Sequence, residues 1–367
     1  RRVLFRSIMM ESMSAKFMKH FGQSETLTPF LDSLYTRSIS FRNFYSAGIH
    51  TNHGLYATLY SFPAMMKRNL MKGSVIPRYS GLPTVLKENG YYNLFFMTHE
   101  GQYDNMNAFF RTNGYDEVFS QEDYPVDKVV NSFGVQDDFL YDYAIPVLNQ
   151  RAATGQPFFA TLLSISNHPP YVIPPFFHPK TSEPEMQIVE YADWALRQFF
   201  EEARKQPWFD NTIFVLEGDH GKLVGDAECE LPESYNHIPL MIYSSRIQPE
   251  EKTAFGGQVD IQPTILGLLN IDYLQNNFGV DLLKEERPCM FYTADNMVVG
   301  RNDTLLYLYN YETQQELTYD IGNGKLNAVP MDDSFFPLKE YSFSMLQSAE
   351  FLVKHGKTLN SIPFTQQ

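Results

Sequence analysis

Asp219 and His220 stand side by side in Gly218-Asp219-His220-Gly221, directly after the apolar run 212–216. A carboxylate and an imidazole in adjacent positions reach one cation only where the chain turns tightly, and flanking glycines permit such a turn. The plainer alternative is an Asp-His pair that caps a loop. Glu11 ends a second apolar run in Met9-Met10-Glu11-Ser12, either as an exposed strand end or as a metal ligand. Thr51 lies in Gly48-Ile49-His50-Thr51-Asn52-His53, just ahead of a helical stretch that stops before Pro63. At a helix N-terminus its hydroxyl would meet backbone N–H groups and a dipole that favour an anion, or it would simply be an N-cap. Together the four residues make a sharper case. A threonine hydroxyl is a poor nucleophile until a metal or a base lowers its pKa, and a divalent ion held by Glu11, Asp219 and His220 would do so. Thr51 would then be ligand and nucleophile at once.

Such a site has to be assembled by strand ends. Short apolar runs at 7–10, 92–98, 158–166, 212–216 and 238–244 read as buried parallel strands, and helical patterns alternate with them. The first four lead into Glu11, His99, Asn167-His168 and Asp219-His220. Ligands of open α/β sheets bind outside the carboxyl ends of the strands, so these groups are expected along one edge. Segment 191–205 repeats apolar residues at Ala192, Leu196, Phe199 and Phe200, the stripe of a helix lying on a sheet. Asp260-Ile261-Gln262-Pro263 reads as an N-cap followed by a first-turn proline. Beyond Pro288, apolar pieces at 291–292, 297–299 and 305–311, with turn residues at 300–303, predict a small antiparallel hairpin sheet, and 337–355 a helix. The expected fold is α/β, with a mostly parallel central sheet flanked by helices on both faces. The catalytic domain is expected over 8–287, and a C-terminal subdomain of antiparallel hairpin and helix over 288–367.

The chain has 367 residues, 43% hydrophobic, and its 30 Phe and 23 Tyr are ample for a large core and an aromatic-lined cleft. A formal charge of -14 without any long basic run argues against a nucleic-acid partner. Single phosphates held by a metal or a few local cations remain compatible with it. Cys229 and Cys289 are too few for a disulfide framework and read as unpaired structural residues. No apolar run approaches the ~20 residues that span a bilayer, and no signal peptide is visible. The opening Arg1-Arg2-Val3-Leu4-Phe5-Arg6-Ser7 reads as a non-native leader, residues 1–7, joined to a chain that begins mid-strand at Ile8. On that reading an upstream membrane anchor is missing from the sequence.

Over 8–281 the chain resembles the sulfatase-like branch of the alkaline phosphatase superfamily, which contains lipoteichoic acid synthase, phosphoglycerol transferases and phosphoethanolamine transferases. The resemblance is carried by Met9-Met10-Glu11-Ser12, Thr28-Pro29-Phe30-Leu31-Asp32, Gly48-Ile49-His50-Thr51, Gly90-Tyr91 and Asn113-Gly114-Tyr115-Asp116. It continues through Asn167-His168-Pro169-Pro170-Tyr171, Tyr191-Ala192-Asp193, Gly218-Asp219-His220-Gly221 and Val259-Asp260-Ile261-Gln262-Pro263-Thr264. It implies that Glu11, Thr51, Asp219 and His220 are metal ligands and that Thr51 carries the covalent head group. His168 matches a histidine that contacts the transferred group or its leaving oxygen, and His99 resembles another substrate-side histidine. The tryptophan and arginine that usually follow the latter are absent from 102–110. His237 is either a further substrate-side histidine or the end of a loop before a strand. His50 and His53 flank Thr51 and could assist proton transfer or be ordinary hydrogen-bonded histidines. Lys222 could pair with phosphate, and otherwise reads as a surface lysine.

The resemblance implies transfer of a phosphoglycerol head group from a membrane phospholipid to a glycan or glycolipid acceptor, through a phosphothreonine. Phosphoethanolamine transfer and phosphodiester hydrolysis are alternatives of the same chemistry. A pseudoenzyme that binds an anionic ligand without turnover is the alternative of another class. True sulfatases need a cysteine or serine in a Cys-x-Pro-x-Arg type motif where this chain has Thr51, so sulfate-ester hydrolysis is not expected. One divalent metal is expected. Three oxygens and one nitrogen suit manganese, with zinc or magnesium as alternatives. Such domains face the periplasmic or extracellular side of the cell membrane on an N-terminal transmembrane region.

Overall fold

Runs that are apolar on both faces have one stable place, the middle of a sheet covered on both sides by helices. The computed structural model, which describes residues 4–322 and 324–360, puts them there. Among the described residues the large sheet contains β1 (Leu4–Met10), β2 (Ile39–Tyr45), β3 (Tyr92–Phe96), β4 (Glu117–Phe119), β5 (Phe158–Leu163), β6 (Thr212–Gly218), β7 (Leu240–Tyr243) and β8 (Glu250–Gly257). Their order is β4-β3-β5-β1-β6-β7-β2-β8. The helices are α1 (Pro29–Tyr35), α2 (Thr51–Tyr60), α3 (Leu82–Glu88), α4 (Met106–Thr112), α5 (Asp137–Ala153), α6 (Pro184–Ala203), α7 (Ile261–Leu268) and α8 (Phe336–Lys354). Strand alternation splits the core in two. Phe5 and Met9 of β1, Phe159 of β5 and Val215 of β6 pack with α2, α3, α4 and α7, whereas Ile8, Leu162 and Leu216 pack with α1, α5 and α6 on the other face.

The sheet is mostly parallel, as expected, and three of its details differ from the sequence reading. β1 extends back to Leu4 and pairs with both β5 and β6 over its length, so residues 4–7, set apart above as leader, lie in the sheet. Phe5 is buried and stacks on Phe159 with ring centroids 4.8 Å apart. The Arg6 guanidinium lies 3.8 Å from the Trp208 ring centroid and donates to Thr212 Oγ1 at 2.8 Å, which explains how an arginine enters a buried strand. Residues 1–3 lie outside the described residues. Secondly, β7 runs antiparallel to β6. A parallel return needs a crossover helix, and the link between these strands carries only a short 3₁₀ turn, Glu233–Tyr235. Thirdly, Asp260 does not cap α7 with its side chain. Its carboxylate accepts from Gly257 and Val280 N–H, both at 2.9 Å, and pairs with the buried Arg287, which also donates to Tyr341 on α8 at 2.6 Å.

The C-terminal sheet is antiparallel, in the order β13-β12-β11-β10-β9, with β9 (Met290–Thr293), β10 (Met297–Arg301), β11 (Leu305–Asn310), β12 (Gln315–Gly322) and β13 (Lys325–Ala328). Gly300 and Arg301 belong to β10 rather than to the expected turn. The turn follows them, where Asn302 Oδ1 accepts from Thr304 and Leu305 N–H. β12 and β13 were not legible because their residues are largely polar and exposed. The sheet meets the large one at the loop that precedes Thr51. Thr293 N–H donates to the Ala47 carbonyl at 2.9 Å, and the Tyr292 and Tyr45 rings stack with centroids 5.4 Å apart.

Two of the motifs are structural. Asp193 of α6 is buried and accepts from Phe30 and Leu31 N–H at 2.9 Å each, so it caps α1, the helix that begins in Thr28-Pro29-Phe30-Leu31-Asp32. Burial pushes its carboxyl up to about 7 from an ordinary 3.8, against the pull of those two donors. A carboxyl whose folded pKa is raised holds its proton longer in the folded state, so stability is lost as pH rises between the two values. We expect the melting temperature to fall from pH 4 to pH 7 in the parent, and to fall less in Asp193→Asn. Superimposable pH profiles for the two proteins would show that this carboxyl does not titrate as described.

Candidate active site

The register of β1 against β6 pairs Met10 with Gly218. The next residue on each strand, Glu11 and Asp219, therefore leaves the sheet at the same level, and His220 follows. One ligand atom from each of Glu11, Asp219 and His220 lies within 4.8 Å of the others. Both carboxylates are buried. Asp219 Oδ1 accepts from Ser12 N–H at 2.8 Å and His220 N–H at 2.7 Å, whereas Oδ2 has no hydrogen-bond partner. Burial first, and the neighbouring Glu11 second, push the Asp219 carboxyl well above its ordinary range. Two buried acids side by side with an unpaired oxygen are what a bound cation would compensate. The His220 Nδ1 lies 2.7 Å from the Gly221 carbonyl, which fixes the proton on Nδ1 and leaves Nε2 as a free donor atom toward a metal. That Nε2 is 3.8 Å from Glu11 Oε1 and 3.6 Å from Asp219 Oδ2.

Thr51 is the first residue of α2, with His50 before it and no side-chain cap. Its hydroxyl is thus not spent on capping, and it donates to Glu11 Oε2 at 3.2 Å. Residues that the sequence did not single out hold this arrangement. Gln258 donates from Nε2 to the Gly218 and Asp219 carbonyls at 3.1 and 2.8 Å, and its Oε1 accepts from Ala47 N–H at 2.9 Å. One buried amide thereby joins the Asp219 loop to the loop that precedes Thr51. Asn236 does the same from the other side, donating to the Ser46 and Gly48 carbonyls at 3.3 Å each. Ser12, in left-handed conformation with φ 49°, donates its hydroxyl to Glu11 Oε1 at 2.6 Å. The flanking glycines serve proximity rather than a left-handed turn, since a Cβ on Gly221 would lie 2.0 Å from the Ser234 carbonyl oxygen.

The substrate-side residues divide. Asn167 donates to the Glu11 and Ser12 carbonyls at 3.1 Å each, which holds the His168 loop beside the ligands. His168 Nδ1 is 2.6 Å from the Pro169 carbonyl, so its Nε2 is free, and its ring packs 4.0 Å from that of Phe133. His99 is buried at the end of β3 beside Tyr103, and burial lowers its pKa. His237 is engaged elsewhere: Nε2 meets the Arg42 carbonyl at 2.8 Å and the ring stacks on Tyr45 and packs edge-on against Phe21. The neighbour of His237, Asn236, makes the contact that matters. His50 is exposed and paired with Asp295 of the C-terminal sheet at 2.6 Å. His53 is buried with neither ring nitrogen bonded, and desolvation lowers its pKa to about 3. Lys222 is not a surface lysine. It is half-buried and donates to Asn167 Oδ1 at 2.6 Å and the Tyr171 hydroxyl at 3.0 Å, and burial lowers it to about 8.

Comparison with known proteins identifies the family. The Sulfatase family pattern matches residues 7–271. Lipoteichoic acid synthase 1 of Bacillus subtilis is 26% identical over 270 residues, covering 67% of this chain and 40% of the relative. The lipoteichoic acid synthase of Staphylococcus aureus (strain USA300) is 23% identical over 321 residues, covering 76% and 47%. The chain thus spans about half or less of the length of these curated relatives. Among solved structures, a Vibrio parahaemolyticus protein of the alkaline phosphatase superfamily superposes with TM-score 0.87 and 27% identity over 98% of this chain and 88% of its own. The lipoteichoic acid synthase LtaP of Listeria monocytogenes gives TM-score 0.82 and 21% identity over 96% of this chain and 92% of its own. With the fold and the family pattern in agreement, the chain belongs to the sulfatase family within the alkaline phosphatase superfamily.

Proposed function

We propose that this domain moves a phosphoglycerol head group from a membrane phospholipid to a glycan or glycolipid hydroxyl through a phosphothreonine at Thr51. The observation that carries the reading is the uncapped Thr51 hydroxyl at the start of α2, bonded to Glu11 among the clustered ligands. Thr51 Oγ1 gives up the proton it directs at Glu11 and attacks phosphorus, and the bond from phosphorus to the diacylglycerol oxygen breaks. His168 Nε2 gives that oxygen a proton, then takes one from the acceptor hydroxyl as its oxygen displaces Thr51, and Glu11 returns the first proton to Thr51 Oγ1. The α2 N-terminus directs its N–H groups toward the phosphoryl oxygens. Glu11, Thr51, Asp219 and His220 would hold one divalent metal, whose charge lowers the pKa of the hydroxyl and offsets negative charge on phosphorus-bound oxygens. Manganese fits the three oxygens and one nitrogen, with zinc and magnesium as the competitors.

The two cysteines give no support to a formylglycine sulfatase. Cys229 Sγ contacts the Leu231 carbonyl at 3.0 Å and Cys289 packs in the C-terminal subdomain. By its likeness to lipoteichoic acid synthases the domain would face the periplasmic or extracellular side of the cell membrane on an N-terminal transmembrane region. Among the described residues no helix is long and apolar enough to cross a membrane.

The ligand loop and α2 approach too closely for any side chain between them, since a Cβ on Gly54 would lie 2.1 Å from the Asp219 carbonyl oxygen. Gly54→Ala therefore has to displace Asp219 or the helix. We expect manganese affinity, measured by calorimetry, to drop about 10–100-fold, the range for residues that support metal ligands. Unchanged affinity in Gly54→Ala would show that α2 rather than Asp219 gives way, and unchanged affinity in a folded Asp219→Ala would refute Asp219 as a ligand. The reaction itself is read by intact-protein mass spectrometry after incubation with manganese and phosphatidylglycerol. A phosphoglycerol mass increment in the parent and none in Thr51→Ala is the expected result. An increment that persists in Thr51→Ala would refute the nucleophile, and an increment only with phosphatidylethanolamine would change the head group.

A further inference from the structure

The C-terminal sheet leaves a groove of about 480 Å³ against the main domain, large enough for a small-molecule site. Its walls are the tight turn 65–68, the β9–β10 turn at 295–296, the β11–β12 turn at 311–312 and the C-terminal half of α8. Met66 is left-handed, with φ 49°, and Arg68 N–H donates to the Met65 carbonyl at 3.1 Å, which brings Lys67 and Arg68 to one wall. Asn296 joins two other walls, since its carbonyl accepts from Tyr311 N–H at 2.7 Å and its Nδ2 donates to Glu312 Oε2 at 3.4 Å. Tyr311 is 61% exposed, more than any other Phe, Tyr or Trp among the described residues. Five charged side chains line the groove, Lys67, Arg68, Asp295, Glu312 and Glu350, and among the described residues none is ion-paired with another of the five. One residue links the groove to the catalytic edge. Asp295 lines it, and Asp295 Oδ1 meets Nε2 of His50, the residue before Thr51, at 2.6 Å.

We propose that this groove binds a neutral oligosaccharide, the glycan that presents the acceptor hydroxyl to Thr51. The chemistry of the lining selects for a sugar. The exposed ring of Tyr311 offers an apolar surface on which the C–H face of a pyranose can lie, and its hydroxyl adds a polar edge. Around it stand pure donors, on Lys67 and Arg68, and pure acceptors, on Asp295, Glu312 and Glu350. A sugar hydroxyl donates and accepts at once, so it can use both kinds. An anionic chain would lie beside three carboxylates, and a cationic one beside the lysine and the arginine, each an unfavourable juxtaposition. Opposite charges that share a groove without pairing to each other keep their hydrogen-bonding capacity for what enters it. The binding site stands on the groove alone, whereas its place on the acceptor side of the reaction rests on the phosphothreonine reading.

The test is saturation-transfer NMR with titration, using the whole chain and four probes: the neutral cellohexaose, maltohexaose and chitohexaose, and the anionic hexagalacturonic acid. The parent should bind at least one neutral probe saturably, and about 10-fold or more tighter than the anionic one. Tyr311→Ala should weaken that binding by about 10-fold or more, as the loss of an aromatic anchor does. Tyr311→Phe keeps the ring and should bind close to the parent. A melting temperature of Tyr311→Ala equal to that of the parent separates lost binding from lost fold. Failure of all three neutral probes to bind, hexagalacturonic acid binding as tightly as they do, or binding unchanged in Tyr311→Ala overturns the proposal. Absence of a Thr51 adduct in the parent is a separate result: sugar binding that depends on Tyr311 would stand, and only its place on the acceptor side would fall.

Discussion

The site turns on a single electrostatic constraint: two carboxylates, Glu11 and Asp219, are buried side by side at adjacent strand ends with an oxygen left unpaired. Burying one uncompensated charge is costly, and burying two of the same sign more so. The sheet register makes the juxtaposition unavoidable, since β1 and β6 pair residue for residue up to Met10 and Gly218. Everything around the pair can be understood as fixing those two acids where a cation can join them. Ser12 and the backbone of His220 hold the Asp219 oxygen that is bonded, Ser12 and Thr51 take the two oxygens of Glu11, and His220 offers a nitrogen oriented by its own backbone.

Farther out, the polar residues of the motifs act as joints. Gln258 ties the Asp219 loop to Ala47, Asn236 ties the opposite flank to Ser46 and Gly48, and Asn167 ties the His168 loop to Glu11. Lys222, in turn, holds Asn167. Each of these is a side chain satisfying backbone groups of a loop far away in sequence. Such bonds let irregular loops be buried without leaving polar groups unpaired.

This division explains what the sequence disclosed. Glu11, Asp219 and His220 were legible because each follows an apolar run, and the edge they share follows from strand order alone. Thr51 was legible as a helix start, though its freedom from capping appears only in three dimensions. The opposite holds for His237 and Asn236, adjacent in sequence. A histidine attracts attention as a reactive group, yet here it is packed between rings while the unremarked asparagine supports the nucleophile loop. Gln258 was illegible for the same reason, since its partners lie 39 to 211 residues away. Where the chain departs from simple patterns, as at Arg6 in β1 or the polar strands β12 and β13, aromatic packing or edge exposure overrides the hydrophobic signal.

The contact between the C-terminal sheet and the loop before Thr51 has a consequence for how the chain is built. Ala47 is hydrogen-bonded to Thr293 and also to Gln258, and His50 is paired with Asp295. The segment that delivers Thr51 is therefore gripped from both sides, by the last part of the main domain and by the small sheet that follows it. Its order depends on residues synthesised some 240 positions later. A chain cut before β9 keeps Gln258 but loses Thr293 and Asp295, so the loop before Thr51 is left with one of its two supports.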